Sequence, residues 1–241
     1  MRGVGPGPVK LILNADDYGY DPAVSKGIAR SMREGVVSST TMIVNSPHSA
    51  EAARDAQGLS IGLHLNLVRF RALSEPAREL NEKDVLTADF VERETRAQLE
   101  HLRSLLGRAA THIDVHKHAH RSAPVLEGLC RAARAHDLAV RSIDADMRAA
   151  IRGFGVRTND VFLGDAGADA YWTLPRWEEQ LRSALQRNGV VELMCHPGLT
   201  PSHVASGYGA QREVELATFV DPRARAVLEE LGLALTSWAG V

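Results

Sequence analysis

Short apolar runs alternate with amphipathic segments along most of the chain. A short apolar run predicts a strand buried on both faces, whereas apolar residues spaced three or four apart predict a helix. In the segment 22–34, for example, Val24, Ile28 and Met32 fall on one helical face, and Gly35 follows. The predicted strands are 9–14, 36–44, 59–65, 111–115, 139–142, 161–163, 190–195 and 233–237. The predicted helices are 22–34, 48–56, 88–106, 124–136, 175–187 and 222–231.

This alternation predicts an α/β fold in which parallel strands are joined by right-handed helical crossovers. About seven such units fit a TIM-like (β/α) barrel, closed or distorted, and we expect a single domain over residues 1–241. An open doubly wound sheet is the alternative. No G-x-G-x-x-G motif follows the first strand and no P-loop is present, which argues against a nucleotide-binding version. Residues 1–8 are rich in Gly and Pro, and we expect them to form a flexible arm. Residues 69–87 are charged and lack a regular apolar pattern, and we expect them to form a surface loop.

Composition and charge exclude several classes of protein. The chain is 44% hydrophobic and 24% charged, and its 28 Lys and Arg residues nearly balance 30 Asp and Glu residues. Because there is no basic surplus, we expect no nucleic-acid partner. No apolar stretch reaches the length of a membrane span. The two cysteines, Cys130 and Cys195, predict no disulfide framework and favour a reducing, cytoplasmic setting.

Acidic and imidazole side chains gather at the carboxyl ends of four predicted strands. They are, in chain order, Asp16 and Asp17, His64, His116, and His196. Active sites of (β/α) barrels form at this rim, because the loops that follow the strands converge there. Four separate strand ends with such residues are a stronger signal than any one of them alone.

One carboxylate and two neutral imidazoles make a three-ligand metal site that leaves positions open for water and substrate. We predict that Asp17, His64 and His116 form this set around one divalent ion per chain. Two imidazoles favour Zn²⁺, because Mg²⁺ usually prefers more oxygen ligands. Mg²⁺ or another divalent ion remains an alternative at this level.

The remaining two residues suit proton transfer. Side chains of adjacent residues diverge along a strand, so Asp16 can face a metal-bound water while Asp17 holds the ion. A metal-bound water loses its proton near neutral pH, and we assign Asp16 as the general base that accepts it. His196 comes from a strand far along the chain, and we assign it as the acid that protonates a leaving amine.

The segment THIDVHKHAH at 111–120 contains four histidines, but we expect only one of them to bind the metal. His116 ends the predicted strand. His118 and His120 lie beyond it and are candidates to contact the substrate or the metal ligands. His112 lies at the start of the strand, away from the rim. An exposed polar loop that binds metals only incidentally is the alternative for this run taken alone.

Five motifs, in order along the chain, resemble the YdjC-like carbohydrate deacetylase family, which includes chitooligosaccharide deacetylases and a hopanoid-biosynthesis branch. The tail from Tyr208 through Arg212 and Glu215 to Leu235 also resembles the end of family sequences. The motifs are NADDYG at 14–19, GVVSSTTMIVN at 35–45, IGLHLNL at 61–67, THIDVHKHAH at 111–120 and ELMCHPG at 192–198.

The resemblance implies a barrel-like deacetylase that removes N-acetyl groups from amino sugars or glycoconjugates. It implies a divalent metal on the same three residues, Asp17, His64 and His116. The roles of Asp16 as base and His196 as acid resemble those in related polysaccharide deacetylases. Since family members are often dimers, a homodimer is also implied.

Two positions depart from the family pattern. Tyr18 stands where Phe is common after the paired aspartates. The residues V-R-F-R at 68–71 replace a Thr-x-Gly-x-Pro-like loop after His64. We expect the segment 68–88 to border the substrate, so this departure leaves the identity of the N-acetylated substrate open.

Two other functions remain as alternatives. A barrel phosphoesterase or amidohydrolase would commonly carry an H-x-H motif on the first strand, whereas here the first strand carries Asp16 and Asp17. A non-catalytic sugar-binding homologue would be expected to have lost a ligand or the base, and none is missing.

Overall fold

The strands of the protein form one parallel sheet in the computed structural model, which describes residues 9–164 and 171–241. The order across the sheet is β5-β4-β3-β2-β1-β7-β6, and β8 pairs with the start of β1. The predicted N-terminal arm, residues 1–8, lies outside the described residues. The strands are β1 (Lys10–Tyr18), β2 (Ser39–Met42), β3 (Ile61–Leu65), β4 (His112–Val115), β5 (Ala139–Val140), β6 (Val161–Leu163), β7 (Val190–Cys195) and β8 (Ala234–Leu235).

Helices connect the strands and cover the outer face of the sheet. Local signals set their ends: the Asp21 side chain caps the first helix, and Gly107 ends the third with φ 67. None of the described helices is both long and apolar enough to cross a membrane. The helices are α1 (Pro22–Arg33), α2 (Ser49–Arg54), α3 (Ala88–Leu106), α4 (Ala123–Ala135), α5 (Ala145–Gly153), α6 (Leu174–Ala184), α7 (Ala210–Val220) and α8 (Pro222–Glu230).

The sheet curls into a half-barrel that stays open at one seam. In the described part of the chain no strand pairing joins β5 to β6. Instead, the backbone N–H of Val140 donates to the carbonyl of Arg157, in the segment that precedes β6. The predicted barrel-like α/β fold is therefore confirmed in its distorted form. The extent of the domain over residues 1–241 stays a prediction.

The central strand β1 is buried on both faces, and the two faces differ in chemistry. Leu11, Leu13 and Ala15 belong to the apolar core that the helices cover. Asn14 and Asp16 are equally buried and hydrogen-bond to each other at 2.9 Å. Alternation along the strand thus separates a hydrophobic outer layer from a polar layer inside the half-barrel.

Two helices differ from the periodicity prediction, which indicates none at 145–153 or 210–220. Helix α5 is short and held by its Asp144 cap rather than by a broad apolar face. Helix α7 buries Arg212 and Glu215 on the side that faces the protein. Polar residues on a buried face break the apolar spacing by which a helix is recognised from sequence. The reason for their burial lies in the site described below.

The second strand is also shorter than predicted, Ser39–Met42 instead of 36–44. Val36 and Val37 are buried as expected of strand residues. Their backbone N–H groups, however, donate to the carbonyls of Phe219 and Ser31 rather than to a neighbouring strand. These residues form the turn between α1 and β2, and their apolar side chains pack into the core.

Candidate active site

The structure brings three of the predicted residues into direct contact at the carboxyl rim of the half-barrel. Asp17 is the next-to-last residue of β1, His64 lies on β3, and His116 follows β4 directly. Oδ1 of Asp17 lies 3.2 Å from Nε2 of His64 and 3.2 Å from Nδ1 of His116. The two imidazole nitrogens lie 3.1 Å apart. All three side chains are buried, and the set forms a compact triangle of potential ligand atoms.

These residues fit a divalent metal ion. Ligand atoms about 2.0–2.1 Å from a tetrahedral Zn²⁺ lie about 3.3 Å from one another, close to the spacing found here. Oδ1 of Asp17 is buried and has no hydrogen-bond donor among the described residues. A buried, unpartnered carboxylate oxygen is costly unless a cation or donor compensates it. The geometry and the unpartnered oxygen both favour a cation at the centre of the triangle.

Asp114 fixes the orientation of His64. Its Oδ1 lies 2.6 Å from Nδ1 of His64, and Thr41 donates to its Oδ2 at 2.9 Å. A carboxylate that accepts the Nδ1–H leaves the Nε2 lone pair free for a metal, as in carboxylate–histidine–metal arrangements. Burial opposes protonation of His64, but the surrounding carboxylates, Asp114 foremost, raise its pKa to about 10. The same carboxylates would also stabilise a bound cation.

The backbone at the end of β1 separates the two adjacent aspartates. Asp17 has a left-handed φ of 75°, which is uncommon for a residue other than glycine. Ala15 pairs with Thr40 and Tyr18 with Met42, so β1 carries one extra residue relative to β2 across this stretch. This bulge re-aims the side chains, as bulges near active sites commonly do. Asp17 points to the imidazoles and Asp16 to the interior.

Asp16 lies in a buried bidentate ion pair with Arg141. Nη1 of Arg141 donates to Oδ2 of Asp16 at 2.6 Å, and Nη2 donates to Oδ1 at 2.7 Å. Burial alone would raise the pKa of Asp16, but Arg141 outweighs it and holds the pKa below the usual range of a carboxyl group. Asp16 is therefore an anion at neutral pH, and it lines the same cavity as the ligand triangle.

Arg141 also joins two further carboxylates inside the half-barrel. It lies 2.8 Å from Oδ2 of Asp114 and 2.8 Å from Oε1 of Glu192, which also accepts from Nε1 of Trp238. Arg141 is fully buried. We call Asp16, Asp114, Arg141 and Glu192 the interior charge cluster.

A second group of potential ligand atoms joins Asp16, His64 and Asp114. It is less suited to an ion, because Arg141 already occupies oxygens of both aspartates. A cation there would lie beside the buried guanidinium, and like charges repel strongly in a low-dielectric interior. The structure therefore favours one ion per chain.

His196 lines the cavity on the side of β7. Its backbone N–H donates to the Glu215 carboxylate, and its ring packs edge-on against Tyr208 with centroids 5.4 Å apart. Burial lowers the pKa of His196 to about 4, so the imidazole is neutral at neutral pH in the free protein.

The other histidines of the segment 111–120 lie apart from the triangle. Lys117 and His118 both have left-handed backbones, with φ 53° and 52°, and this break turns the chain away after His116. His118 lines the cavity, and its Nε2 lies 3.3 Å from the sulfur of Met194. His112 stacks on Trp238 at 4.9 Å, below the rim. Among the described residues, no hydrogen bond or ring contact joins any of these rings to the ligand atoms.

The triangle opens into a cavity of about 360 Å³ between the loops that follow β1, β3 and β7. Arg69 crosses its mouth: Nη1 donates to the hydroxyl of Tyr20 at 2.5 Å and to the carbonyl of Ala205 at 3.1 Å. Arg69 belongs to the segment 68–71 that departs from the family pattern. Of the segment 68–88, Arg69 lines the cavity, and the contact of this segment with the substrate stays a prediction.

Comparison with known proteins agrees with this arrangement. The family described as YdjC-like protein matches residues 10–230. The chain belongs to the YdjC-like family. The sequence resemblance is confirmed over nearly the whole chain, including every strand end that forms the site.

Relatives in this family align with the chain almost end to end. The carbohydrate deacetylase of Vibrio parahaemolyticus is 32% identical over 254 residues, which cover 97% of this chain and 96% of the relative. That of Geobacillus stearothermophilus is 33% identical over 249 residues, covering 96% of this chain and 97% of the relative. A crystal structure from Enterococcus faecalis V583, of a protein provisionally described as acting in cellobiose-phosphate cleavage, superposes with a TM-score of 0.86. It is 28% identical and covers 97% of this chain and 98% of its own.

Sequence reasoning assigned no role in the site to several residues that contact it, among them Arg141, Arg212 and Glu215, although the last two belong to the tail that resembles the family. Arg141 follows β5, so the strand-end argument that selected the histidines could also have selected it. Arg212 and Glu215 belong to α7 and contact Asp17 and His196, respectively. The resemblance of the tail includes both residues, but it does not indicate which side chains they contact.

Proposed function

We propose that the protein is a carbohydrate deacetylase, a metal-dependent hydrolase that removes the N-acetyl group of an amino sugar or glycoconjugate. The products are acetate and a free amine. The observation that carries the proposal is the convergence of Asp17, His64 and His116 beside Asp16 and His196 in one cavity. The relatives named carbohydrate deacetylase support the same reaction class.

Asp17, His64 and His116 would hold the ion, for which we propose Zn²⁺ because two of the three ligands are imidazoles. When bound, a divalent ion supplies a Lewis acid for the acetyl carbonyl and lowers the pKa of water. The chain's own contribution is to present three ligand atoms on one side only, which leaves the cavity side open to substrate.

Asp16 would take the proton of the attacking water. Arg141 holds its pKa low, so the carboxylate is anionic at neutral pH. A low pKa also makes it a weak base, so accepting a proton from water would depend on the acidity that a bound divalent ion gives to that water. The two donors of Arg141 also fix the direction of the carboxylate, and a fixed base needs no reorganisation during the reaction. This assignment of Asp16 rests on its place in the cavity next to the ligand Asp17.

His196 would protonate the departing amine. Because burial lowers its pKa to about 4, the ring is neutral before the reaction and must gain a proton during the cycle. Hydrolysis of an amide moves one proton from water to the amine, so the proton that Asp16 accepts must pass to His196, or exchange with solvent in the cavity, before His196 delivers a proton to the amine. Both residues line the same cavity.

A panel of N-acetylated amino sugars and their conjugates tests the proposal, read by acetate release before and after treatment with a chelator. We expect acetate from at least one member and none after chelation. Phosphate release from phosphorylated members without acetate would favour the phosphoesterase alternative. Tight Zn²⁺ binding without any hydrolysis would favour a binding protein and contradict the proposal.

Location and assembly are further proposals. A cytoplasmic setting is supported by Cys130 and Cys195, which are both free and buried. A homodimer is supported only by the resemblance to a family whose members are often dimers. Size-exclusion chromatography with light scattering tests it.

A further inference from the structure

We propose that helix α7 is the positioning element of this site: Arg212 orients the metal ligand Asp17, and Glu215 anchors His196. The inference rests on the proposed function and extends it to two residues that contact neither the ion nor the reacting atoms. Arg212 and Glu215 are three positions apart, so they lie on the same face of the helix.

Arg212 holds one oxygen of the Asp17 carboxylate. Its Nη2 donates to Oδ2 at 2.6 Å, and its Nε donates to the carbonyl of Tyr208 at 3.0 Å. Both side chains are almost fully buried. With Oδ2 engaged by the guanidinium, Oδ1 faces His64 and His116 and is the oxygen left for a metal. Arg212 therefore selects a one-oxygen binding mode for Asp17.

The backbone of Asp17 increases the need for such a contact. A left-handed φ at a residue other than glycine persists only where surrounding contacts determine it. The ion pair with Arg212 is one such contact, and it comes from an element distant in sequence. Loss of the guanidinium would free the Asp17 side chain to rotate away from the imidazoles.

Glu215 gathers three donors from the other side of the cavity. Its Oε2 accepts the backbone N–H of His196, and its Oε1 accepts the Tyr208 hydroxyl at 2.7 Å and the backbone N–H of Trp172 at 3.2 Å. Tyr208 in turn packs against the His196 ring. One buried carboxylate thus fixes the start of the loop after β7 and an aromatic neighbour of the proposed acid.

A role limited to docking α7 onto the protein explains these contacts less well. Burying an arginine and a glutamate costs desolvation free energy, and apolar residues of similar size often stabilise a helix interface as well or better. The rest of the buried face of α7 is supplied by residues such as Leu216 and Phe219. The two charged residues are instead directed at Asp17 and His196.

Metal affinity tests the Arg212 contact. We expect Arg212→Met to weaken Zn²⁺ binding by about 10–100-fold, the usual cost of losing a partner of a metal ligand. Arg212→Lys keeps the positive charge but loses the planar, two-pronged guanidinium. We expect its Zn²⁺ affinity to lie between that of Arg212→Met and that of the wild type. The visible absorption spectrum of the Co²⁺-loaded protein should also change, because the ligand geometry changes. Arg182→Met, which removes an exposed arginine from α6, is the control.

The sign of this effect separates positioning from simple electrostatics. Removing a positive charge beside a cation should tighten metal binding if Arg212 acts only through its charge. Unchanged or tighter Zn²⁺ binding in Arg212→Met therefore overturns the inference for Arg212. Thermal unfolding of the metal-free variants checks that each is folded. If Arg212→Met is not folded, the Zn²⁺ affinity of Arg212→Lys tests the inference instead.

Turnover tests the Glu215 contact. We expect Glu215→Gln to lower kcat about tenfold, which is part of the 10²–10⁴-fold that a positioned acid or base typically contributes, while KM and Zn²⁺ affinity change less than about twofold. Glu229→Gln, at an exposed position on α8, should leave all three quantities unchanged. A Glu215→Gln protein with lower thermal stability but wild-type kcat would show that Glu215 has a purely structural role. That result would overturn the inference for Glu215.

The two failures are distinguishable. If the wild-type protein releases no acetate from any N-acetylated sugar, the proposed function fails, while the Zn²⁺ titrations of the Arg212 variants still report on Asp17. If the wild type is active and the variants of Arg212 and Glu215 match it in metal affinity and kcat, the proposed function stands and the positioning role of α7 is wrong.

Discussion

The interior charge cluster and the ligand triangle begin at adjacent residues, Asp16 and Asp17, but differ in how their polar atoms are satisfied. In the cluster, Arg141 donates to both oxygens of Asp16 and lies within 2.8 Å of Asp114. In the triangle, Oδ1 of Asp17 has no donor within the described chain and faces two imidazole nitrogens.

The difference indicates which group holds the metal and which contributes to folding. Carboxylates that already share a buried guanidinium gain little from a further cation but lose much when that partner is removed. The cluster is not fully satisfied, since Oε2 of Glu192 has no partner among the described residues. An unsaturated set of ligand atoms gives little stability and is available for binding. Asp114 connects the two, because it contacts both Arg141 and His64. The predictions below test this division.

The largest effect is expected at the triangle. His116→Ala should abolish measurable acetate release and Zn²⁺ binding, because two ligands rarely hold a catalytic ion. Its metal-free thermal stability should stay near the wild type. His118→Ala, two residues further along, is the control and should keep its Zn²⁺ affinity, since His118 lies against Met194 instead. Loss of Zn²⁺ binding in His118→Ala with retention in His116→Ala would reverse the assignment.

Asp16→Asn should lower kcat by about 10²–10⁴-fold, the range for removal of a general base. Asparagine keeps the shape and one acceptor for Arg141, so we expect the protein to fold and to bind Zn²⁺. Steady-state kinetics and a Zn²⁺ titration on the same preparation check both points. Asp89→Asn, at an exposed site on α3, should match the wild type. Acetate release by Asp16→Asn at the wild-type rate would show that another group is the base.

Arg141→Met should lower the free energy of unfolding by about 3–5 kcal/mol, because it leaves buried carboxylates without their counterion. Denaturant unfolding of the metal-free protein measures this change. Arg182→Met, which breaks an exposed ion pair, should change stability far less. A loss at Arg141 as small as that at Arg182 would mean that the interior charge cluster contributes nothing to folding.

Asp114→Asn should have the smallest effect of the series, a Zn²⁺ affinity about 10–100-fold weaker with the metal retained at high concentration. The amide can still accept the Nδ1–H of His64 but no longer carries the charge that favours it. Asp146→Asn, on an exposed part of α5, is the matched control. Wild-type Zn²⁺ affinity in Asp114→Asn would show that the interior charge cluster does not influence metal binding at the ligand triangle.

The sequence predicted the parts of this molecule that depend on short-range pattern. Apolar runs located the strands, and polar residues at their carboxyl ends located Asp17, His64 and His116, because parallel strands end at a common rim. The structure brings these three together. The roles of Asp16 and His196 in catalysis, like the binding of an ion, stay predictions.

What could not be predicted depends on contacts between distant segments. Arg141 follows β5, which is four strands away from β1 in the sheet. It contacts Asp16 only because the sheet curls, which brings the two side chains together inside the half-barrel. Helix α7 could not be recognised from the sequence, because a helix that buries charged residues such as Arg212 and Glu215 lacks the regular spacing of apolar residues. The open seam between β5 and β6 could not be predicted either, because β5 has two residues where the pattern predicts a strand over 139–142, and pairing between distant strands leaves no local pattern.

Metal reconstitution tests the central claim most directly. Protein stripped by a chelator is titrated with Zn²⁺, and acetate release from an N-acetylated amino sugar is measured at each step. The account predicts no activity in the stripped protein and a linear rise that ends at one ion per chain. Full activity in the stripped protein, or a rise that ends only at two ions per chain, would contradict it.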